Sequence, residues 1–102
     1  MKGAVLVSVL VLGTTVVWAG ASPLMQRGKE LFESPALGTN GRSCASCHAG
    51  GKKLEWVGTY DDAKLSAIIN TCIKKPLRGK PLPTDSDDLK SMILYIRSIG
   101  GK

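Results

Sequence analysis

Aromatic residues are scarce in this chain, with one Phe, two Trp and two Tyr among 102 residues. A short chain with so few large rings buries little apolar area, and domains of this size often complete their cores with a metal, disulfides or a cofactor. Histidine is scarcer still: His48 stands alone. Structural zinc needs four Cys or His ligands, usually as two pairs, and no second Cys/His cluster accompanies Cys44, Cys47 and His48, so a zinc site is excluded. There is no P-loop, no internal repeat, no low-complexity tract and no alternating run that would make a sheet. The cysteines number three, so they cannot all pair with one another.

One long apolar run is present. Met1-Lys2 is a minimal positive start, Ala4 to Trp18 is almost unbroken apolar sequence, and Ala19-Gly20-Ala21 has the small-x-small pattern of a cleavage site. Residues 1–21 therefore read as a secretory signal, and 22–102 as one domain. The rival is an uncleaved anchor. At 1.5 Å per residue the run reaches about 22 Å against roughly 30 Å of hydrocarbon, and it lacks a charged stop flank, so no stable membrane insertion is expected after cleavage. Export places the domain in the periplasm or another oxidising exterior. The formal charge of +6, one unit less without Lys2, would suggest nucleic acid in a cytosolic protein. In an exported chain it points to an acidic protein partner or an anionic surface.

Cys44-Ala45-Ser46-Cys47-His48 fits C-x-x-C-H, the attachment signature of c-type haem. Two thiols one helical turn apart reach two vinyl groups and form thioethers, and the adjacent His48 becomes the proximal iron ligand. A thioredoxin-like site would need a βαβ context, which is missing. One covalently bound haem c also answers the shortage of core, because the porphyrin supplies a large apolar surface for the chain to wrap.

The periodicity predicts three principal helices and an all-α fold. Ser22-Pro23 suits a helix start, Leu24, Gly28, Leu31 and Phe32 share one face, and Ser34-Pro35 ends the run. Residues 36–43 form a loop into the haem motif. Residues 49–53 read as flexible and basic, and 54–60 as irregular. Trp56 there packs on the haem edge, donates its N–H to a propionate, or is simply a core aromatic. A helix over 61–73 puts Leu65, Ile68, Ile69 and Cys72 on one apolar face, directed inward. Pro76 stops it, and 74–83 is an extended loop with three prolines and several cations. The last helix starts near 84–87, buries Leu89, Met92, Ile93 and Ile96 with Tyr95 alongside, and ends at Gly100-Gly101.

With these features the chain resembles the class I cytochromes c. Gly28-Lys29-Glu30-Leu31-Phe32 ahead of the haem motif and Leu94-Tyr95-Ile96 in the last helix carry the resemblance over essentially all of 22–102. It implies three to four helices around one haem, with Gly28 letting the first and last helices cross closely and Phe32 and Tyr95 packing at the crossing. Most members take a sixth ligand from a methionine in the loop before the last helix. This chain has none there, and Cys72 occupies the right region. The run Ile69-Asn70-Thr71-Cys72, with Gly79-Lys80-Pro81-Leu82-Pro83 and Asp85-Ser86, is similar to the His/Cys-ligated subgroup. That subgroup includes SoxA, the thiosulfate dehydrogenases and the small monohaem chains of the NaxLS heterodimer, which match best in size.

Four readings of Cys72 stand open at this point: distal axial ligand, small buried hydrophobe, partner in an intermolecular disulfide, or bystander to Met92 as the sixth ligand. Thiolate ligation would lower the reduction potential, and release of Cys72 on reduction would open a site for NO or CO. Lys74 and Lys75 either help hold the thiolate charge or form a solvated basic loop. Three functions compete. One is a low-potential periplasmic haem protein that exchanges electrons or binds a small gas, docking through Lys52, Lys53, Lys74, Lys75, Arg78 and Lys80 to a redox partner such as a second small cytochrome. Another is the haem subunit of a thiosulfate-oxidising enzyme acting through Cys72. The third is an ordinary His/Met electron carrier. Non-enzymatic electron transfer or gas binding is the favoured expectation.

Overall fold

A computed structural model of the protein describes residues 22–100, so the signal read at 1–21 lies outside the described residues. The described residues are all-α, with four α-helices, three short 3-10 turns and no strand. The helices are α1 (Pro23–Glu33), α2 (Ala45–His48), α3 (Asp62–Lys74) and α4 (Asp87–Ile99). None is long and apolar enough to cross a membrane.

Local chemistry sets the helix ends. Ser22 Oγ accepts from Met25 N at 3.1 Å, Asp61 Oδ1 from Lys64 N at 2.8 Å, and Ser86 Oγ from Leu89 N at 3.2 Å. Each satisfies one amide that the first turn leaves without a partner. Asp62 opens α3, and Asp87 and Asp88 open α4, where carboxylates favour the positive end of the helix dipole. Extended backbone at Ser34, imposed by Pro35, ends α1. Beyond α3 the chain folds back on it: Leu77 N donates to Cys72 O at 3.2 Å and Gly79 N to Ile73 O at 2.7 Å.

The crossing of α1 and α4 organises the core. A Cβ on Gly28 would collide with the Ser91 carbonyl oxygen and lie 2.8 Å from Tyr95 Cβ, so backbone meets backbone at this point. Beside it the rings of Phe32 and Tyr95 meet edge-on, 5.3 Å between centroids and 62° between planes. Leu31, Leu89, Met92, Ile93 and Ile96 fill the space between the helices. Leu24, expected on the same buried face, is 36% exposed because it precedes the crossing by a full turn. Residues 49–53 are not a free loop either. Gly51 is buried against the Ile99 backbone at the end of α4.

Arg97 joins α4 to the 54–60 segment. Its guanidinium donates to Val57 O at 3.3 Å, Tyr60 O at 2.9 Å and Asp62 Oδ1 at 2.7 Å. The segment expected to be irregular thereby carries a 3-10 turn, Val57–Thr59, with Val57 fully buried.

Candidate functional site

The core is open on one side. A cleft of about 900 Å³, counting its open mouth, enters between α2, α3 and the 54–57 segment, and its walls are almost wholly apolar. From α2 and the residue before it come Cys44, Cys47 and His48. From α3 come Leu65, Ile68, Ile69 and Cys72. Phe32 and Ile96 reach the cleft from the α1/α4 layer, and Pro76 and Leu77 bound it beyond α3.

One turn of helix brings the motif residues together. Cys47 N and His48 N both donate to Cys44 O, at 3.2 and 3.0 Å, and Ser43 N donates to Ser46 Oγ at 3.0 Å. Side chains three and four residues apart then share one side of α2. His48 Nδ1 lies 2.9 Å from Lys52 O. A carbonyl can only accept, so Nδ1 donates, and in the neutral ring Nε2 is the nitrogen whose lone pair is left for a metal. The turn that supplies this carbonyl contains left-handed backbone at Gly50, Gly51 and Lys53.

Burial disfavours the thiolate form of Cys44 and Cys72. Burial first, and the neighbouring thiols of Cys72 and Cys47 after it, push the Cys44 thiol up to about 11. Burial, followed by the Cys47 thiol, also raises Cys72 above the ordinary thiol value. The cations at Lys74 and Lys75, which looked able to depress it, do not reverse this shift. Cys72 also borders a shallow groove on the outer face of α3, beside Ile68, Lys64, Ala67 and Thr71.

Of the residues singled out in the sequence, Cys44, Cys47, His48 and Cys72 meet at the cleft. Met92 does not. It is fully buried within α4 and is not one of the residues that line the cleft. Trp56 is no core aromatic: it lines the cleft, is 42% exposed and stacks edge-on against Tyr60 at 5.2 Å. The basic residues at 52, 53, 74, 75, 78 and 80 are all exposed. Among the described residues no three His, Cys, Asp or Glu side chains converge as a metal cluster.

The cleft thus combines almost wholly apolar walls with two thiols one helical turn apart, an imidazole and a third thiol, a lining and donor set compatible with a large apolar group held by sulfur and nitrogen. Sequence reasoning missed Pro76 and Leu77 as cleft walls and Asn40 and Arg97 as connectors. Only Asn40, between Gly38 and Gly41, had a local signal, that of a turn-forming Asx residue. Compared with models of known protein families, with curated proteins and with solved structures, the chain finds no match in any of the three.

Proposed function

We propose that this chain is an exported monohaem c-type cytochrome in which Cys44 and Cys47 hold haem c, His48 is the proximal ligand and Cys72 the distal one. It serves low-potential electron transfer and, once reduced, takes up a small gas such as NO or CO. The observation that carries the reading is the convergence of these four side chains on one apolar cleft, with Nδ1 of His48 engaged by the Lys52 carbonyl so that Nε2 is the nitrogen left for a metal. When bound, the group supplies a one-electron couple and an iron centre whose potential depends on its axial ligands and burial.

The chain's own residues set how that couple behaves. The Lys52 carbonyl, 2.9 Å from Nδ1, fixes the His48 tautomer and ring plane. Cys72 must lose its proton to bind, against burial that favours the thiol, so it binds well only to a strongly positive centre. With a haem bound, Cys72 would supply an anionic sulfur that favours the oxidised state and lowers the potential, and the burial that favours its thiol would favour release of Cys72 from a reduced centre. The apolar walls from α3, with Ile68 and Ile69, exclude water from that side. Exposed Trp56 lines the cleft, and the exposed lysines and arginine at 52, 53, 74, 75, 78 and 80 suit an acidic redox partner, such as a second small cytochrome in a heterodimer.

The experiment is electron paramagnetic resonance of the oxidised protein with and without Cys72→Ser. A low-spin thiolate signature lost in the variant is expected, and an identical spectrum in both would remove Cys72 from the iron. The position of Met92 in the core disfavours a His/Met carrier. One observation favours a second reading, a thiosulfate-oxidising subunit: Cys72 also borders the outer groove, whose lining includes Lys64 further along α3, so an anionic sulfur substrate would have a second approach to the thiol. Turnover with thiosulfate and an artificial acceptor would establish it.

A further inference from the structure

The segment leading into Cys44 and the segment following Cys72 lie directly against each other. Thr39 N donates to Leu77 O at 2.9 Å and Thr39 Oγ1 to Arg78 O at 2.8 Å. A Cβ on Gly38 would lie 2.7 Å from Leu77 Cβ, and one on Gly79 would lie 2.9 Å from the Leu37 carbonyl carbon, so the two backbones touch. Asn40 sits at the centre of this contact with both ends of its amide in use. Nδ2 donates to Pro76 O at 2.8 Å, and Oδ1 accepts from Arg42 N at 3.1 Å.

We propose that Asn40 is a positioning residue for Cys72, bridging the two segments that bear the cleft's sulfur ligands and setting how firmly the Cys72 sulfur is held there. The proposal rests on Cys72 being the distal ligand. On one side the amide shapes the turn two residues before Cys44. On the other it holds Pro76, which lines the cleft, and Leu77 N then bonds back to the carbonyl of Cys72 itself. Displacement of Cys72 moves the last turn of α3, and that turn is tied through Pro76 and Asn40 to the segment ahead of α2. Neither Asp nor Ala reproduces the bridge, because only an amide of this length donates to one segment while accepting from the other.

Asn40→Asp is the informative substitution, since a carboxylate still accepts from Arg42 N but has no hydrogen to give to Pro76 O. The readout is alkylation of Cys72 by iodoacetamide in the oxidised, haem-loaded protein, followed by peptide mass. Cys44 and Cys47 are blocked as thioethers, and Cys72→Ser supplies the blank. Asn40→Asp is expected to label about two- to tenfold faster than wild type, the range for loss of one ordinary hydrogen bond. Ser34→Ala, which removes a comparably exposed bond to Ala36 N, should label at the wild-type rate. Equal slow labelling in wild type and Asn40→Asp overturns the proposal alone, as does equal acceleration by Ser34→Ala. Wild-type labelling as fast as in denatured protein sinks the ligand reading, and the proposal with it. If Asn40→Asp lacks the helical circular dichroism of wild type, Thr39→Val replaces it; that change removes the adjacent bond to Arg78 O and carries the same expectation at smaller size.

Discussion

Gly28→Ala puts the helix crossing under test with a single methyl group. Intrinsic propensity favours the change, since alanine is about 1 kcal/mol better than glycine inside a helix. The crossing opposes it. The new Cβ would collide with the Ser91 carbonyl oxygen and approach the Ser91 carbonyl carbon at 2.7 Å and Tyr95 Cβ at 2.8 Å, where ordinary carbon contacts need about 3.5 to 4.0 Å. Ser91 is fully buried and backbone cannot rotate aside, so α1 and α4 must part by about 1 Å. Overpacking of this kind costs about 1 to 3 kcal/mol. Parting the helices also loosens the Phe32–Tyr95 pair, worth about 1 kcal/mol beyond its area, and forfeits part of the dispersion contacts of Leu31, Met92 and Ile93. Net of the propensity gain, the variant should lose about 3 kcal/mol. For a domain of this size that lowers Tm by roughly 12 to 24 °C. Thermal and guanidinium unfolding of the oxidised protein, followed by circular dichroism at 222 nm, measures both. A variant within about 1 kcal/mol of wild type would refute the claim that the helices meet backbone to backbone at Gly28.

Met92→Ala should cost about 2 to 5 kcal/mol as a core cavity while leaving the paramagnetic signature of the iron unchanged; a changed signature would bring Met92 into ligation. Arg78 holds left-handed backbone at φ 57°, a strain of about 1 to 2 kcal/mol for an L-residue, so Arg78→Gly should stabilise by about 0.5 to 1 kcal/mol after the added chain entropy. A loss in the denaturant midpoint instead would mean that the guanidinium makes a needed contact. In the haem-free chain, a Cys44 thiol raised from 9.0 to about 11 keeps more protons in the folded state than in the unfolded. Its contribution to stability is therefore full below about pH 9 and falls away as pH rises through 11. A urea midpoint equally flat with pH in wild type and Cys44→Ala would contradict that burial.

Helix starts and stops were legible because their causes are local. Ser22-Pro23, Asp61 and Ser86 each provide a hydrogen-bond acceptor within three residues of the amide they cap. The stripe Leu89, Met92, Ile93, Ile96 was legible for the same reason, since 3.6 residues per turn decides which side chains share a face, whereas Cys72, expected to point inward, is half-buried and borders both the cleft and the outer groove. Trp56 and Leu24 were not, because burial depends on what arrives from elsewhere in the chain. The bond from Arg97 to Val57 O spans 40 residues, and that from Asn40 to Pro76 O spans 36. No local pattern predicts either.

By itself, then, the sequence determined three helices with their ends, an all-α class, the spacing of Cys44, Cys47 and His48, and a third cysteine on an apolar face. Each is a property of neighbours along the chain. Only the tertiary structure decided that Cys72 shares one cleft with the other three side chains, that Met92 lies in the core away from it, and that Asn40 ties together the segments on either side. These depend on α1 and α4 meeting at Gly28 and on loops far apart in sequence exchanging hydrogen bonds, which is settled only when the whole chain packs.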